Sequence, residues 1–295
     1  MIFSLITVYN PKSLDEVKRN ISAIASQVDK IFICDNSTFK TQFEFLPNNA
    51  VHLFFNKNLG LSMAFNRVLK NNDFSDDDYI IFFDQDSFIG EGYIHSLRAI
   101  HEELENGGIK VGLLCPVAFN VNDNKVIPID KNHTVADGCY EVTQMLTSSS
   151  LCKFKALKEV GFWNENVFLD LADFDLSWRI RAFGFKNIRT DRLLFNHTYG
   201  DGVKKIGPLQ MTVEAPVREY YQMRESLYLF YKKYVPFKYK IRLFRTITFR
   251  PFFRIFFLDE KKKRAFYIFR GYKDFVKKKK GEIEMKNLYK MREIV

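Results

Sequence analysis

The 295 residues include only four cysteines, Cys34, Cys115, Cys139 and Cys152, with no Cys-x-x-Cys pair and no histidine-rich partner spacing. That scatter argues against a zinc site or a disulfide framework and predicts buried, reduced thiols. Long apolar runs are also missing. None reaches the roughly 18 uninterrupted residues that a bilayer-spanning helix needs, so membrane contact is expected to be peripheral at most. Residues 1–9 lack the basic n-region of a secretory signal and read instead as a first strand. No Gly-x-Gly-x-x-Gly follows that strand and no Gly-x-x-x-x-Gly-Lys-Ser/Thr occurs, which disfavours a dinucleotide enzyme or a P-loop NTPase. The glycine-rich, basic opening loop of a sugar-1-phosphate nucleotidyltransferase is absent as well.

With 46% apolar residues the chain can bury a large core, and its length fits one large domain with an appendage. The net charge of +10 is unevenly placed. Residues 232–295 hold 21 Lys/Arg against 6 Asp/Glu, leaving 24 against 29 in residues 1–231. The whole positive excess therefore lies in the tail.

The dominant stretch is 78–87, a run of large apolar residues ending in Asp84-Gln85-Asp86. A continuous β-branched and aromatic strand is covered on both faces, as in parallel sheets. Such sheets bind ligands beyond the carboxyl ends of their strands. Strands are also predicted over 2–8, 30–34, 51–55 and 110–115, and helices from Ser13, over 61–69 and over 92–105. Four strand ends carry loop-forming polar residues: Thr7/Tyr9, Asp35/Asn36, Asn58/Gly60 and Asp84/Asp86. Each could be a plain turn, but together they outline a nucleotide-binding rim. Two carboxylates with waters and substrate oxygens suit Mg²⁺ or Mn²⁺.

Residues 119–150 read as an insertion or β-ribbon. A helix follows in which Leu176, Ile180 and Phe183 form one face and Gly184 caps the C-terminus. Asp170, Asp173 and Asp175 crowd its start, more carboxylates than the macrodipole requires. Asp175 and Arg179 are four apart and are expected to pair, which leaves Asp170 and Asp173 for acid/base work.

Taken in order, these motifs resemble the inverting glycosyltransferases of family 2 with the GT-A fold, and within them the bacterial rhamnosyltransferase group. The resemblance rests on Ile6-Thr7-Val8-Tyr9-Asn10-Pro11, Cys34-Asp35-Asn36-Ser37-Thr38, Asn58-Leu59-Gly60 with Ala64-Phe65-Asn66, and Phe83-Asp84-Gln85-Asp86-Ser87. Further on it includes 161–179, with Ala172 where the family often has Glu, the late loop Asn196-His197-Thr198-Tyr199-Gly200-Asp201, and 218–225, with Glu225 where Asn is common.

The resemblance implies an α/β fold of GT-A type, Rossmann-like, with a mostly parallel sheet and flanking helices. Its catalytic domain would span 1–231, with a nucleotide-binding half at about 1–115 and an acceptor-side half at about 116–231. It implies transfer of a sugar from a nucleotide diphosphate donor, with dTDP-L-rhamnose favoured, to a hydroxyl of a growing bacterial surface polysaccharide on a polyprenyl diphosphate carrier. A UDP-hexose or UDP-N-acetylhexosamine donor is the alternative. Asp86 and Asp84 would hold the metal, with His197 completing its shell or contacting the diphosphate. Thr7 and Tyr9 would flank the base and Asp35 would accept its N3–H. Asn58, Gly60, Asn66, Gln85, Arg218 and Arg224 would serve the nucleotide sugar. Asp173 would be the general base, with Asp170 in reserve or on the acceptor.

In the tail, Phe237, Ile241, Phe244 and Thr248 recur at helical spacing with Lys238, Arg242 and Arg245 opposite. Ile268, Phe269, Tyr272, Phe275 and Val276 form a second stripe between two lysine clusters. Basic amphipathic segments of this kind lie in anionic membrane interfaces, and the resemblance places the protein on the cytoplasmic face of the membrane. A packed helix with a solvated basic face and a nucleic-acid patch remain alternatives. No nucleic-acid partner is expected. A non-catalytic basic binding protein is the rival reading of another class.

Overall fold

The computed structural model describes residues 1–44, 46–120, 124–197, 203–206 and 209–284. The chain opens with β1 (Ile2–Val8), α1 (Leu14–Ala25), β2 (Lys30–Asp35), β3 (Ala50–Phe54), α2 (Gly60–Leu69) and β4 (Tyr79–Asp84). Ser13 begins α1 as expected, its hydroxyl accepting from the Glu16 amide, and Val17, Ile21 and Ile24 form the helix's buried stripe. α3 (Tyr93–Asn106) leads to β5 (Val111–Asn120), which runs five residues beyond the strand that the sequence suggests. Residues 119–150 do contain ribbon-like strands: β6 (Lys125–Val126), β7 (Thr134–Ala136) and β8 (Cys139–Val142). β9 (Leu151–Lys153), α4 (Phe154–Glu159), α5 (Ala172–Ala182), β10 (Lys186–His197), β11 (Val203–Ile206) and β12 (Leu209–Thr212) follow.

The main sheet runs β3-β2-β1-β4-β9-β5-β10-β8-β7, with β6 on β5. Its first four strands are parallel, and the apolar runs of β1, β2 and β4 are buried on both faces. β9 then inserts antiparallel between β4 and β5, so the α/β architecture has a mixed sheet. The register pairs Thr7 with Asp84 and Val8 with Asp35, bringing three strand ends to one rim.

All four cysteines are buried and free. In α5, Leu176 and Ile180 are in the core, whereas Phe183 is exposed: the helix ends at Ala182, and Gly184 at φ +83° turns the chain away. The expected Asp175–Arg179 pair forms at 2.7 Å.

α6 (Arg218–Phe230) precedes the tail, which contains α7 (Phe237–Thr248), α8 (Arg250–Phe257) and α9 (Lys261–Val276). α9 packs closely on α6: a Cβ at Gly271 would lie 2.5 Å from the Tyr220 carbonyl, and Arg264 reaches Glu219 at 3.1 Å. α8 is inside out. Arg254 is buried against Glu214 and Glu219, while Phe252 and Phe256 face outward. No helix among the described residues is long and apolar enough to cross a membrane.

Candidate active site

The rim is held by loop-to-loop hydrogen bonds. Gln85 Oε1 accepts from the Tyr9 amide at 2.8 Å, tying the β1 and β4 loops together, and Asn10 N donates to Ser37 Oγ at 2.9 Å. Tyr9 is 49% exposed and Thr7 half-buried, so both are accessible at the rim. Asp84, Gln85 and Asp86 are half-buried on the turn that ends β4, where the Asp84 amide donates to a partner the sequence does not advertise, Ser148 Oγ, at 3.2 Å. Ser148 and Ser87 hydroxyls lie 2.6 Å apart and brace the same turn.

Asp35 departs from its expected part. It has no exposed surface: Oδ1 accepts from Ser37 N, and Oδ2 accepts from Thr41 N and lies 2.8 Å from His52 Nε2. Burial opposes its ionisation, but the bonds from His52, Ser37 and Thr41 outweigh that and hold the carboxyl well below the usual carboxylate range. In this conformation it organises residues 36–41 instead of presenting an oxygen to a base.

Three asparagines also work on the backbone. Asn36 Oδ1 accepts from Leu59 N at 3.0 Å, Asn58 Oδ1 from Gly60 N at 2.9 Å, and buried Asn66 holds both the amide and the carbonyl of Trp163. Gly60 sits at φ +73°, and a Cβ there would fall 2.4 Å from the Phe168 carbonyl, which accepts from Leu61 N. The turn before α2 is thereby locked to the loop that carries Asp170.

Asp173 is half-buried in the first turn of α5, and Thr147 donates to its Oδ1 through both hydroxyl and amide. Burial pushes its pKa up to about 7, with the charges of Asp84 and Asp170 adding to the rise and Thr147 opposing it. Three carboxylates from two loops and a helix therefore share one neighbourhood.

Asp170 accepts from Arg218, with the guanidinium Nε at 3.0 Å. The loop 168–171 is suspended from Glu225, fully buried in α6, which accepts from the amides of Phe168, Leu169 and Leu171. Burial and the Asp170 charge push Glu225 up to about 8. Arg224 is away from the rim: it is buried, donates to Tyr220 Oη at 3.0 Å and to the Gly281 carbonyl at 2.8 Å, and lies over the Tyr220 and Tyr221 rings. Expected to serve the nucleotide sugar, it packs α6 against residue 281 in this structure.

Backbone pairing between Phe88 and Asn196 brings the end of β10, and with it His197, beside the Asp84–Asp86 turn. The His197 side chain and residues 198–201 lie outside the described residues. Among the described residues no three His, Cys, Asp or Glu side chains converge into a ready-made metal cage.

No family model matches the sequence. The chain is 26% identical over 253 residues to the dTDP-rhamnosyl transferase RfbF of Shigella flexneri, covering 82% of this chain and 83% of that protein. Among solved structures it resembles S. aureus TarS residues 1–349 in complex with UDP-GlcNAc, with a TM-score of 0.58, 16% identity, and coverage of 94% of this chain and 81% of that one. Against a longer TarS structure (TM-score 0.57, 14% identity) it again aligns over 94% of its own length but spans only 49% of that chain. A structure of GalNAc-T7 with UDP, GalNAc and Mn²⁺ aligns at TM-score 0.54 and 12% identity, over 94% of this chain and 56% of that one. The fold is that of these glycosyltransferase structures, GT-A, and in sequence the chain is similar to a dTDP-rhamnosyl transferase.

Proposed function

We propose that the chain is an inverting, metal-dependent glycosyltransferase that moves L-rhamnose from dTDP-L-rhamnose to a hydroxyl of a bacterial surface polysaccharide carried on a polyprenyl diphosphate. The observation that carries this reading is the placement of Asp173 in the first turn of α5, its Oδ1 held by Thr147 and within reach of the Asp84 and Asp170 charges, which with burial push its pKa up to about 7. A general base works best with a pKa near the operating pH. Asp173 takes the proton from the acceptor hydroxyl, whose oxygen attacks the anomeric carbon from the face opposite the diphosphate, so the configuration inverts. Thr147 holds the carboxylate in place and favours its charged form. Tyr9 and Thr7 border the base, and Gln85 fixes the Tyr9 backbone.

Asp84 and Asp86 fit Mg²⁺ or Mn²⁺. They are two half-buried carboxylates on one turn, hard oxygen donors that suit an ion which also takes waters and substrate phosphates. An ion held there would supply charge neutralisation for the diphosphate leaving group.

The likeness to the S. flexneri protein favours rhamnose. The likeness to TarS in complex with UDP-GlcNAc supports a second reading, the same chemistry with a UDP-sugar. The inverted α8, with phenylalanines outward and Arg254 inward among a strongly basic set of helices, supports attachment to an anionic membrane surface. The test is transfer from each donor to the lipid-linked glycans of a bacterial membrane fraction, with the new linkage assigned by NMR. A linkage inverted relative to dTDP-L-rhamnose is expected. Retention of configuration would refute the mechanism, and transfer from a UDP-sugar alone would replace the donor.

A further inference from the structure

We propose that His52, on the edge strand β3, is a positioning residue for the nucleotide-sugar donor: through Asp35 it anchors residues 36–41, and they in turn hold the loop of Tyr9, which borders the base. The inference rests on the glycosyltransferase reading above.

The sheet sets the contact. Parallel pairing makes Ile33 the register partner of His52, so Asp35, two residues on, stands on the same face. The imidazole is nearly enclosed, with 11% of the side chain exposed, and Phe43 meets it edge-on at 85° with ring centroids 5.0 Å apart. That contact fixes the plane of the ring. Nε2 lies 2.8 Å from Asp35 Oδ2. Despite its burial, the Asp35 carboxyl is held well below the usual carboxylate range, so it is ionised and only accepts. His52 Nε2 therefore carries the hydrogen and donates it.

Asp35 accepts from His52, from Ser37 N at 3.0 Å and from Thr41 N at 2.9 Å. Of these three donors only His52 comes from outside the segment being held. Asp35 has no exposed surface, so water does not replace a lost donor. From this segment the hydrogen bonds continue across the rim. Asn10 N donates to Ser37 Oγ at 2.9 Å, Thr38 N donates to Asn10 Oδ1 at 3.0 Å, and Asn10 Nδ2 donates to Thr38 Oγ1 at 3.2 Å. The neighbouring Tyr9 amide donates to Gln85 on the turn of Asp84 and Asp86. The base and that turn have braces of their own, Thr147 on Asp173 and Ser148 on the Asp84 amide. Loss of the His52 hydrogen thus slackens the wall beside Tyr9 and leaves the reacting groups in place. It should weaken donor binding and spare turnover.

The experiment compares the full chain with its His52→Gln and His52→Leu variants. Gln places an amide N–H at about the reach of Nε2, whereas Leu fills similar space without a donor. Calorimetry follows dTDP and UDP binding in the presence of Mn²⁺, slow hydrolysis of dTDP-L-rhamnose and UDP-N-acetylglucosamine gives kcat and KM, and thermal melting reports folding. His52→Leu is expected to weaken nucleotide binding and raise donor KM by about tenfold, the loss of one hydrogen bond to a charged group, with kcat within about twofold of wild type. His52→Gln should recover most of that loss. Asn10→Gly carries the test if His52→Leu does not fold: Asn10 is exposed at φ +41°, which glycine adopts freely, and the change cuts the links to Thr38. It should raise KM and spare kcat in the same way. A kcat loss as large as the KM rise, His52→Gln as weak as His52→Leu, or an unchanged KM in Asn10→Gly would overturn the proposal. If wild type binds nucleotide and every variant matches it, the His52 proposal alone falls. If wild type binds neither nucleotide, the glycosyltransferase reading falls and takes this proposal with it.

Discussion

Asp173→Asn removes the proposed base while keeping an Oδ1 that Thr147 can still donate to. Positioned general bases contribute about 10²–10⁴-fold, so transfer at pH 8 should fall by that range with little change in donor KM. The pH profile is the sharper test. Burial, helped by the charges of Asp84 and Asp170, places the Asp173 carboxyl at about 7. Below that pH it keeps its proton and cannot accept another, so kcat/KM should rise tenfold per pH unit up to about 7 and then level off. Thr147→Val removes a donor that favours the charged form. Hydrogen bonds to charged groups contribute about 1.5–3 kcal/mol, so the acid limb should move upward by about 1–2 pH units.

Stability should respond in the opposite sense to activity. The folded value lies above the ordinary aspartate value of 3.8, so the folded state binds more protons between the two, and its stability falls as pH rises through that window. Asp173→Asn should therefore melt a few degrees above wild type at pH 8, with the gain vanishing toward pH 4. A flat rate profile between about pH 6 and 8, or an Asp173→Asn variant within a factor of about three of wild type, would refute this role for the base.

Three other perturbations act on the scaffold around the site. Gly60→Ala forces a side chain into φ +73° and to within 2.4 Å of the Phe168 carbonyl, so urea unfolding should show a loss of about 1–3 kcal/mol or more, with weaker dTDP binding. Glu225→Leu strips the acceptor from three backbone amides of the loop that carries Asp170. It should cost at least about 3 kcal/mol in the same assay, and Glu225→Gln, which keeps one acceptor oxygen, should cost less. Phe252→Ser with Phe256→Ser should leave the melting temperature unchanged, since both rings are exposed, and weaken sedimentation with anionic lipid vesicles by at least about tenfold. Unaltered vesicle binding would remove α8 from any membrane contact.

Much of the fold was legible because β1, β2 and β4 are continuous apolar runs that end abruptly in polar residues, a pattern that little besides a buried parallel strand produces. The carboxylates at those ends were legible for the same reason. What those residues touch was not. Asn36, Asn58 and Asn66 satisfy backbone groups of neighbouring loops, and a sequence gives no sign of which loop arrives where. Thr147 and Ser148 stand in a turn-rich stretch like many others, and their importance comes from Asp173, 26 residues away, and Asp84, 64 residues away. By resemblance Arg224 was expected to serve the nucleotide sugar, and Glu225 stood where the family commonly has Asn. α6 is instead buried on almost every side because α9 covers it through the close approach at Gly271, so its charged groups were turned inward to packing and loop support. The inverted α8 escaped notice because an amphipathic pattern shows that two faces differ without showing which one faces the protein.

The most direct test of the central claim is a donor screen on the full chain. dTDP-L-rhamnose, UDP-glucose, UDP-galactose and UDP-N-acetylglucosamine are each titrated with and without Mg²⁺ or Mn²⁺, on wild type and Asp86→Ala. Metal-dependent binding and slow hydrolysis are expected, strongest for dTDP-L-rhamnose and lost in the variant. Failure of every nucleotide sugar to bind wild type under any of these conditions would contradict the claim.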